Sequence, residues 1–588
     1  MTHLTDMQFL LHDVFSVEQH YAALDLEEPI DRAFVDAVMD EAFRFTDGEL
    51  RPLNRSGDEQ GCRIDEGVVT TPEGFAQAYA KYVEGGWAGL IGPTEYGGQG
   101  LPGSLGVLLE ELMATANMAW TMYPGLSRGC MNALVAHGST EQKAQFLPKL
   151  LTGEWTGTMC LTEPHAGSDV GLARTKAEPR ADGSYSISGT KIFISAGEHD
   201  MAENIVHLVL AKLPDAPAGT RGISMFVVPK VDLDGSRNAV LCGAIEEKMG
   251  IHGNATCVLN FDGARGYLVG EENQGMRYMF TMMNDARLVV GLQGVCLAQA
   301  GFEASSAYAA ERLQMRSLSG PKAQDKPADP IIVHPDVRRL LLTQRAIVEG
   351  GRALVYHAML VSDREKRATD EAERAAAGEA LDLLTPIVKG FLTEMGYESV
   401  NHAGQVFGGH GFVRENGVEQ LVRDGRITTI YEGTTGIQAL DLLARKVLMT
   451  QGKSLMAFAQ EIQTTAEQAQ AAFPEFSSSL ATLATQWGEI SMNVGAAAAE
   501  DPDEIGAASV DYLYFSGYVA LALMWVRIAL TAQQLLDAGD ERAEYLTSKI
   551  DVARFYMARM LPRAQAHRAA IEAGGASLMQ IQDRALQA

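Results

Sequence analysis

Three observations predict an α+β protein whose helical and β segments are segregated along the chain. Residues 1–155 and everything beyond 276 carry helical periodicity. Residues 156–275 carry short β-branched or aromatic runs separated by turn clusters. Strand and helix do not alternate in the way a doubly wound parallel sheet requires. The expected order is an N-terminal helical domain (1–155), a middle antiparallel β domain (156–275), a C-terminal helical bundle (276–450) and an extra helical domain (451–588).

In the first segment Leu105, Val107, Leu108, Leu109 and Leu112 make an apolar stripe, with Glu110 and Glu111 expected on the wet side. Gly92-Pro93 and Gly97-Gly98 punctuate it. In the second, the runs 185–189, 191–195, 205–210 and 223–228 are partly alternating, and Ala181-Asp-Gly and Pro214-Asp-Ala-Pro divide them, as antiparallel strands require. Residues 287–315 then read as one long helix. The stretch 317–335 holds Gly320-Pro321, Pro327, Pro330 and Pro335 and reads as a loop. Residues 362–378 are charge-rich and read as a solvated helix face. The Ala- and Gln-rich segment 451–588 is helical, with a break at Asp501-Pro502-Asp503. Its most apolar run, Tyr512 to Val526, is shorter than the roughly 20 residues a membrane span needs and reads as a buried helix.

Composition narrows the function. The 588 residues are 46% hydrophobic and 21% charged, enough to bury a core. The formal charge of -27 repels phosphate backbones and argues against a nucleic-acid partner, while leaving room for an anionic small molecule at a local basic site. The six cysteines contain no C-x-x-C pair and read as reduced thiols of a cytoplasmic protein. The thirteen histidines show no metal-ligand spacing, so no metal is expected. No signal peptide is read at the N-terminus, where Asp6 and Asp13 flank only a short apolar run.

Two short motifs mislead. Gly98-Gln-Gly100-Leu-Pro-Gly103 matches the dinucleotide fingerprint, but Pro102 sits inside it and no strand precedes it, so a structural turn is the better reading. Gly125-Leu-Ser127-Arg-Gly129 matches a nucleophile elbow, but its flanks read as helical. A Ser hydrolase or thioesterase at Ser127 stays open as the rival class.

The stronger signal is an ordered constellation: Glu95-Tyr-Gly-Gly-Gln-Gly100, His137 to Pro148, Leu161-Thr-Glu-Pro-His-Ala-Gly-Ser-Asp169, Lys191-Ile-Phe-Ile-Ser195, Lys248 to Gly253, Arg287, Glu311-Arg312-Leu-Gln-Met315, Gln405-Val-Phe-Gly-Gly-His-Gly411 and Ile430-Tyr-Glu-Gly-Thr434. Each alone has a bland reading as a turn, a packing glycine or a solvated carboxylate. In this order, across most of residues 30–450, they resemble the acyl-CoA dehydrogenase family.

The resemblance implies an FAD enzyme that oxidises an acyl-CoA thioester to the trans-2-enoyl-CoA. Such chemistry needs a carboxylate base at a weakly acidic α C–H, a hydrogen-bonded thioester oxygen and a flavin facing the β-carbon. By its place in Tyr431-Glu-Gly-Thr, Glu432 matches the base, and its backbone N–H the holder of the thioester oxygen. Gly433 lets the backbone approach the thioester. Ala286 stands where some subfamilies carry the base and cannot accept a proton. For FAD, the segment Met159 to Ser168 matches the ring-lining stretch, including Met159, Leu161 and Thr162, and Phe193 and Ser195 match an aromatic-x-hydroxyl pair beside the ring. Arg312, Gln314, Gln405, Gly408, Gly409 and Thr434 match further FAD contacts. All but Thr434 match contacts made across a subunit boundary, which implies an oligomer. Ser168, Asn284 and Arg287 match CoA contacts. The chain departs from the family at Asn284 (where many members have Asp), Ser195 (Thr), Met315 (Phe) and Gly436 (Gln).

The opening Met7-Gln-Phe-Leu-Leu-His-Asp-Val-Phe, the stretch Lys248 to Thr256 and the segment 451–588 resemble a bacterial subgroup with a C-terminal helical extension. That subgroup includes enzymes acting on 3-methylmercaptopropionyl-CoA in dimethylsulfoniopropionate breakdown; a generic short- or medium-chain fatty acyl-CoA is the alternative substrate. The resemblance further implies a homodimer, electron-transfer flavoprotein as electron acceptor, and the bacterial cytoplasm.

Overall fold

A computed structural model describes residues 3–587. It resolves two compact units, one of residues 37–289 and one of residues 1–36 with 290–588.

The first of these joins helices to a sheet. The helices Gly103–Ala116, Met118–His137 and Thr140–Thr152 precede the strands of the large sheet. Ser139 and Gln142 close the start of the last one with a reciprocal capping box. A small hairpin, β1 (Arg63–Asp65) and β2 (Val68–Thr70), lies within the segment read as wholly helical. Its three-residue strands are too short for periodicity to reveal, and Val69 anchors it in the apolar core of the β domain. Seven more strands follow: β3 (Trp155–Cys160), β4 (Lys176–Pro179), β5 (Tyr185–Ser195), β6 (Asn204–Lys212), β7 (Ile223–Pro229), β8 (Val240–Ile245) and β9 (Thr256–Leu268).

The order is β3-β6-β4-β5-β9-β7 with β8 on β9, and β6 also pairs with β7, so the ladder returns on itself. Most pairs are antiparallel, but β3 runs parallel to β6, with Trp155 opposite Asn204 and Cys160 opposite Val209. A parallel partner needs a long crossover, and β4 and β5 lie within this one, so local pattern could not reveal it.

Glu110 and Glu111 correct the amphipathic reading, because both are buried. The Gly103–Ala116 helix is covered on every side, and Glu110 is tolerated by an ion pair with Arg128 at 3.3 Å. Burial pushes the Glu110 carboxyl up, and Arg128 opposes the shift. The pair borders a cavity of about 30 Å³ lined by Tyr79, Tyr82, Trp87 and Met131.

The other unit is helical. The long helix foreseen over 287–315 spans Gly275–Glu311, and its part from Val290 belongs here. The region 362–378 is two helix ends: Pro335–Arg367 stops, and Glu371–Phe407 starts under an Asp370 cap. Pro335 begins a helix, where its missing N–H costs nothing. Gly294 and Gly396 let two long helices meet backbone to backbone; a Cβ on Gly396 would lie 2.3 Å from the Gly294 carbonyl. The break at residues 501–503 separates helices Pro474–Glu500 and Asp503–Asp537. The run Tyr512–Val526 is buried within the latter, where Trp525 donates to the Ala346 carbonyl at 3.1 Å. Among the described residues two helices, Gly275–Glu311 and Asp503–Asp537, are long and apolar enough to cross a membrane, but their most apolar windows are 78% and 83% buried in protein.

Candidate active site

The residue unit 37–289 contains the segment matched to the flavin ring. β3 ends at Cys160 and the chain turns at Glu163, which bridges to Ala166. Glu163 pins this turn: its carboxylate accepts from Lys191 Nζ at 2.9 Å, Thr175 Oγ1 at 2.6 Å and the Arg174 N–H at 2.7 Å. Lys191 also donates to the Leu161 carbonyl at 2.9 Å, and the Ile192 N–H to Thr162 O at 2.9 Å. Strand β5 and the loop carrying Met159, Leu161 and Thr162 are thereby held side by side. Burial pushes the Glu163 carboxyl up, but Lys191 and the donors around it outweigh that and bring it down to about 2.

The sequence motifs contained Glu163 and Lys191 without assigning them a task; a carboxylate and an ammonium both fully buried are the signal that they are paired. Glu163→Gln is expected to lower unfolding stability by about 2–3 kcal/mol at neutral pH. The sign follows from linkage: a depressed folded pKa stabilises above its ordinary 4.5, and that stability is lost as pH falls toward about 2. Thermal melts at pH 7 and pH 3 check both, because the difference between wild type and variant should shrink at the lower pH.

Phe193 and Ser195 lie on β5; Phe193 falls where the register with β9 shifts between Lys191 and Ile194, and Ser195 pairs with Thr256 just beyond. Phe193 sits at φ +57° and is 59% exposed, an aromatic turned out of the sheet by the bulge. Among the described residues the hydroxyls of Thr162, Ser168 and Ser195 make no hydrogen bond within the protein. An outward aromatic and three unengaged hydroxyls suit a flat, polar-edged ring. On the same unit Asn284 is exposed, and Arg287 is buried over the Phe280 ring at 5.7 Å.

The unit of residues 1–36 and 290–588 contains the rest. Glu432 stands at φ +55° and Gly433 at φ +91°, two left-handed residues in succession. Thr434 accepts the Ile437 N–H at 3.3 Å and so caps the helix Thr435–Leu440. Elsewhere in this unit Tyr308 stacks on Phe407 at 4.2 Å, which joins the segment of Arg312 and Gln314 to that of Gln405, Gly408 and Gly409. The side chains of Arg312, Gln314 and Gln405 are exposed and, among the described residues, make no hydrogen bond to protein. Free amides and a guanidinium on one surface fit an oxyanion such as a pyrophosphate.

The two rival motifs are spent on structure. Gly98 and Gly100 donate their N–H groups to Pro93 O and Gly92 O, at 3.0 and 2.8 Å, so they cannot cradle a phosphate. Ser127 lies inside the helix Met118–His137, is buried, donates to Tyr123 O at 3.2 Å and accepts the Gly157 N–H at 3.0 Å. Ser127→Ala is expected to leave turnover unchanged while costing about 1 kcal/mol of stability, which steady-state rates and a urea melt check.

Residues 35–154, 158–264 and 273–448 match the N-terminal, middle and C-terminal domains of acyl-CoA dehydrogenases, and residues 458–582 match the acetyl-CoA dehydrogenase C-terminal-like domain. A 3-methylmercaptopropionyl-CoA dehydrogenase of Ruegeria pomeroyi is 43% identical over 570 residues, 95% of each chain. The chain belongs to the acyl-CoA dehydrogenase family. As a member of that family it is an oxidoreductase. A butyryl-CoA dehydrogenase of Syntrophomonas wolfei is 35% identical over 90% of this acyl-CoA dehydrogenase and 89% of its own length. Among solved structures, an acyl-CoA dehydrogenase of Bacillus anthracis complexed with FAD shares the fold at a TM-score of 0.72 and 22% identity, over 94% of this chain and 90% of that one.

Proposed function

We propose that the protein is an FAD-dependent dehydrogenase that converts 3-methylmercaptopropionyl-CoA to methylthioacryloyl-CoA in dimethylsulfoniopropionate breakdown. The observation that carries the substrate is the 43% identity to the Ruegeria pomeroyi enzyme over 95% of both chains, C-terminal segment included. The likeness to a butyryl-CoA dehydrogenase favours a second reading, a short-chain fatty acyl-CoA.

In this reading Glu432 takes the α-proton and its backbone N–H holds the thioester oxygen. Gly433, bearing no side chain, leaves room for the thioester. FAD, when bound, would supply the acceptor for the hydride of the β-carbon. The substrate thus loses two electrons and two hydrogens and gains a C=C bond. Thr162 and Ser195 would hydrogen-bond the flavin ring, Phe193 would wall it, and Met159 and Leu161 would line it. Ser168, Asn284 and Arg287 hold the CoA side of the substrate. Arg312, Gln314, Gln405, Gly408 and Gly409 reach the FAD of a second copy, and Thr434 is a further contact. A homodimer is therefore part of the proposal, and a tetramer in native mass measurement would sink that part. Electron-transfer flavoprotein is the proposed acceptor, and the bacterial cytoplasm the proposed location.

Steady-state kcat/KM on 3-methylmercaptopropionyl-CoA, butyryl-CoA, octanoyl-CoA and palmitoyl-CoA tests the substrate. The first should exceed butyryl-CoA by about tenfold or more, the scale a shaped pocket commands. A plain acyl chain ranking first would move the assignment to fatty-acid oxidation.

A further inference from the structure

Glu432 occupies a conformation that a glutamate avoids. A left-handed residue with a Cβ costs about 1–2 kcal/mol, and a long side chain lacks the local hydrogen bonds that let Asn or Asp visit it. Two buried side chains reach the carbonyls of the strained pair. Gln438 Nε2 donates to Glu432 O at 3.0 Å, and Lys389 Nζ to Gly433 O at 2.5 Å. Each of these two residues is 0% exposed. They come from different helices, Thr435–Leu440 and Glu371–Phe407, and those helices are adjacent at this level: a Cβ on Gly390 would lie 3.1 Å from Gln438 Cβ.

Both carry an energetic burden that packing alone would not retain. A buried ammonium is costly. Among the described residues Gln438 Oε1 makes no hydrogen bond, and an orphaned buried acceptor costs about 1–3 kcal/mol. An apolar residue of similar size at either position would escape these costs. What both have in common is the turn they hold. A Cβ on Gly433 would fall 2.7 Å from Gln438 Nε2, so the amide lies directly against the turn. The flanks are anchored as well: the Tyr431 hydroxyl donates to Gln293 Oε1, and Thr435 Oγ1 donates to Glu394 Oε1 at 2.5 Å.

We propose that Lys389 and Gln438 are positioning residues for the reaction, clamping successive carbonyls so that Glu432 stays left-handed and its carboxylate keeps one direction. Relaxation of φ to the ordinary helical value near -60° would swing the side chain away from that direction. The inference rests on Glu432 being the base.

The test uses the FAD-loaded full chain as Lys389→Met and Gln438→Leu, with Glu432→Gln measured beside them on the best acyl-CoA. Both clamp variants should keep their FAD and a KM within about threefold of wild type. Their kcat should fall about 10–100-fold, the scale of a small misplacement of a reacting group. The isotope effect of α-deuterated substrate on kcat should rise, because proton removal becomes slower. Wild-type kcat in both variants would overturn the clamp. So would loss of FAD together with kcat at an unchanged isotope effect, which marks a merely structural role. If Lys389→Met does not fold, Gln438→Leu decides alone. Glu432→Gln with wild-type turnover would overturn the base assignment itself, a result read independently of the clamp.

Discussion

Glu432→Gln is expected to lower kcat by about 10²–10⁴-fold, the range over which a positioned general base acts. The substitution keeps size and shape while removing the acceptor for the α-proton. Backbone at residue 432 is unaltered, so the N–H assigned to the thioester oxygen remains, and KM should change little. The pattern sought is a fall in kcat and kcat/KM together, as for an interaction made only in the transition state. Retention of FAD in the variant separates this outcome from misfolding. A Glu432→Gln protein keeping more than about a hundredth of the activity would remove the base assignment.

Asp6→Asn is expected to cost about 3–5 kcal/mol of unfolding stability, because it leaves buried cations short of a counter-charge. Asp6 lies on the helix His3–Gln8, is 3% exposed, and pairs with both Arg352 and Lys549. Arg352 also donates to Gln299 Oε1 at 2.7 Å. Lys549 pairs with Glu349 at 2.9 Å, and Arg345 Nε donates to the same carboxylate at 2.6 Å. One carboxylate near the start of the chain thus ties the helix Pro335–Arg367 to the helix Ala543–Phe555 of the C-terminal segment. Burial pushes the Asp6 carboxyl up, but Lys549 and Arg352 more than offset it and hold it far below the usual range. With the folded pKa depressed, this stability is present above the unfolded value near 4 and lost as pH falls below it. Urea melts should show the full deficit of Asp6→Asn at pH 7 and a smaller one at pH 3. An equal deficit at both values would contradict the charge argument and leave only packing.

Much of the fold is legible in residues that act locally. Proline at 502 marks a helix break, and the prolines of 317–335 mark the loop that ends where Pro335 opens a helix, because a missing N–H and fixed φ act at the residue itself. The segregation of helical from strand patterns carries the order of domains. What is not legible depends on partners distant in sequence. Glu110 and Glu111 look solvated until Arg128 and a covering layer are known. The parallel pairing of β3 with β6 is decided by strands lying between them in the chain.

The candidate site divides in the same way. Glu432 and the loop of Met159 to Ser168 can be picked out because their neighbours form recognisable motifs. The left-handed backbone of Glu432 is invisible beside the evident glycine at 433. Lys389 and Gln438 sit in otherwise ordinary helix text, and Glu163 and Lys191 lie inside motifs that assign them no task; only their burial with polar atoms aimed at the motif backbone reveals what all four hold. Arg287 is picked out by its motif, but its burial is not visible in the sequence.

The most direct measurement is anaerobic addition of 3-methylmercaptopropionyl-CoA to the FAD-loaded protein while following the visible flavin band. Rapid bleaching, with methylthioacryloyl-CoA formed in equal amount and the effect lost in Glu432→Gln, is the predicted result. A folded protein that binds no flavin, or a band left unchanged by every acyl-CoA of the panel, would contradict the account.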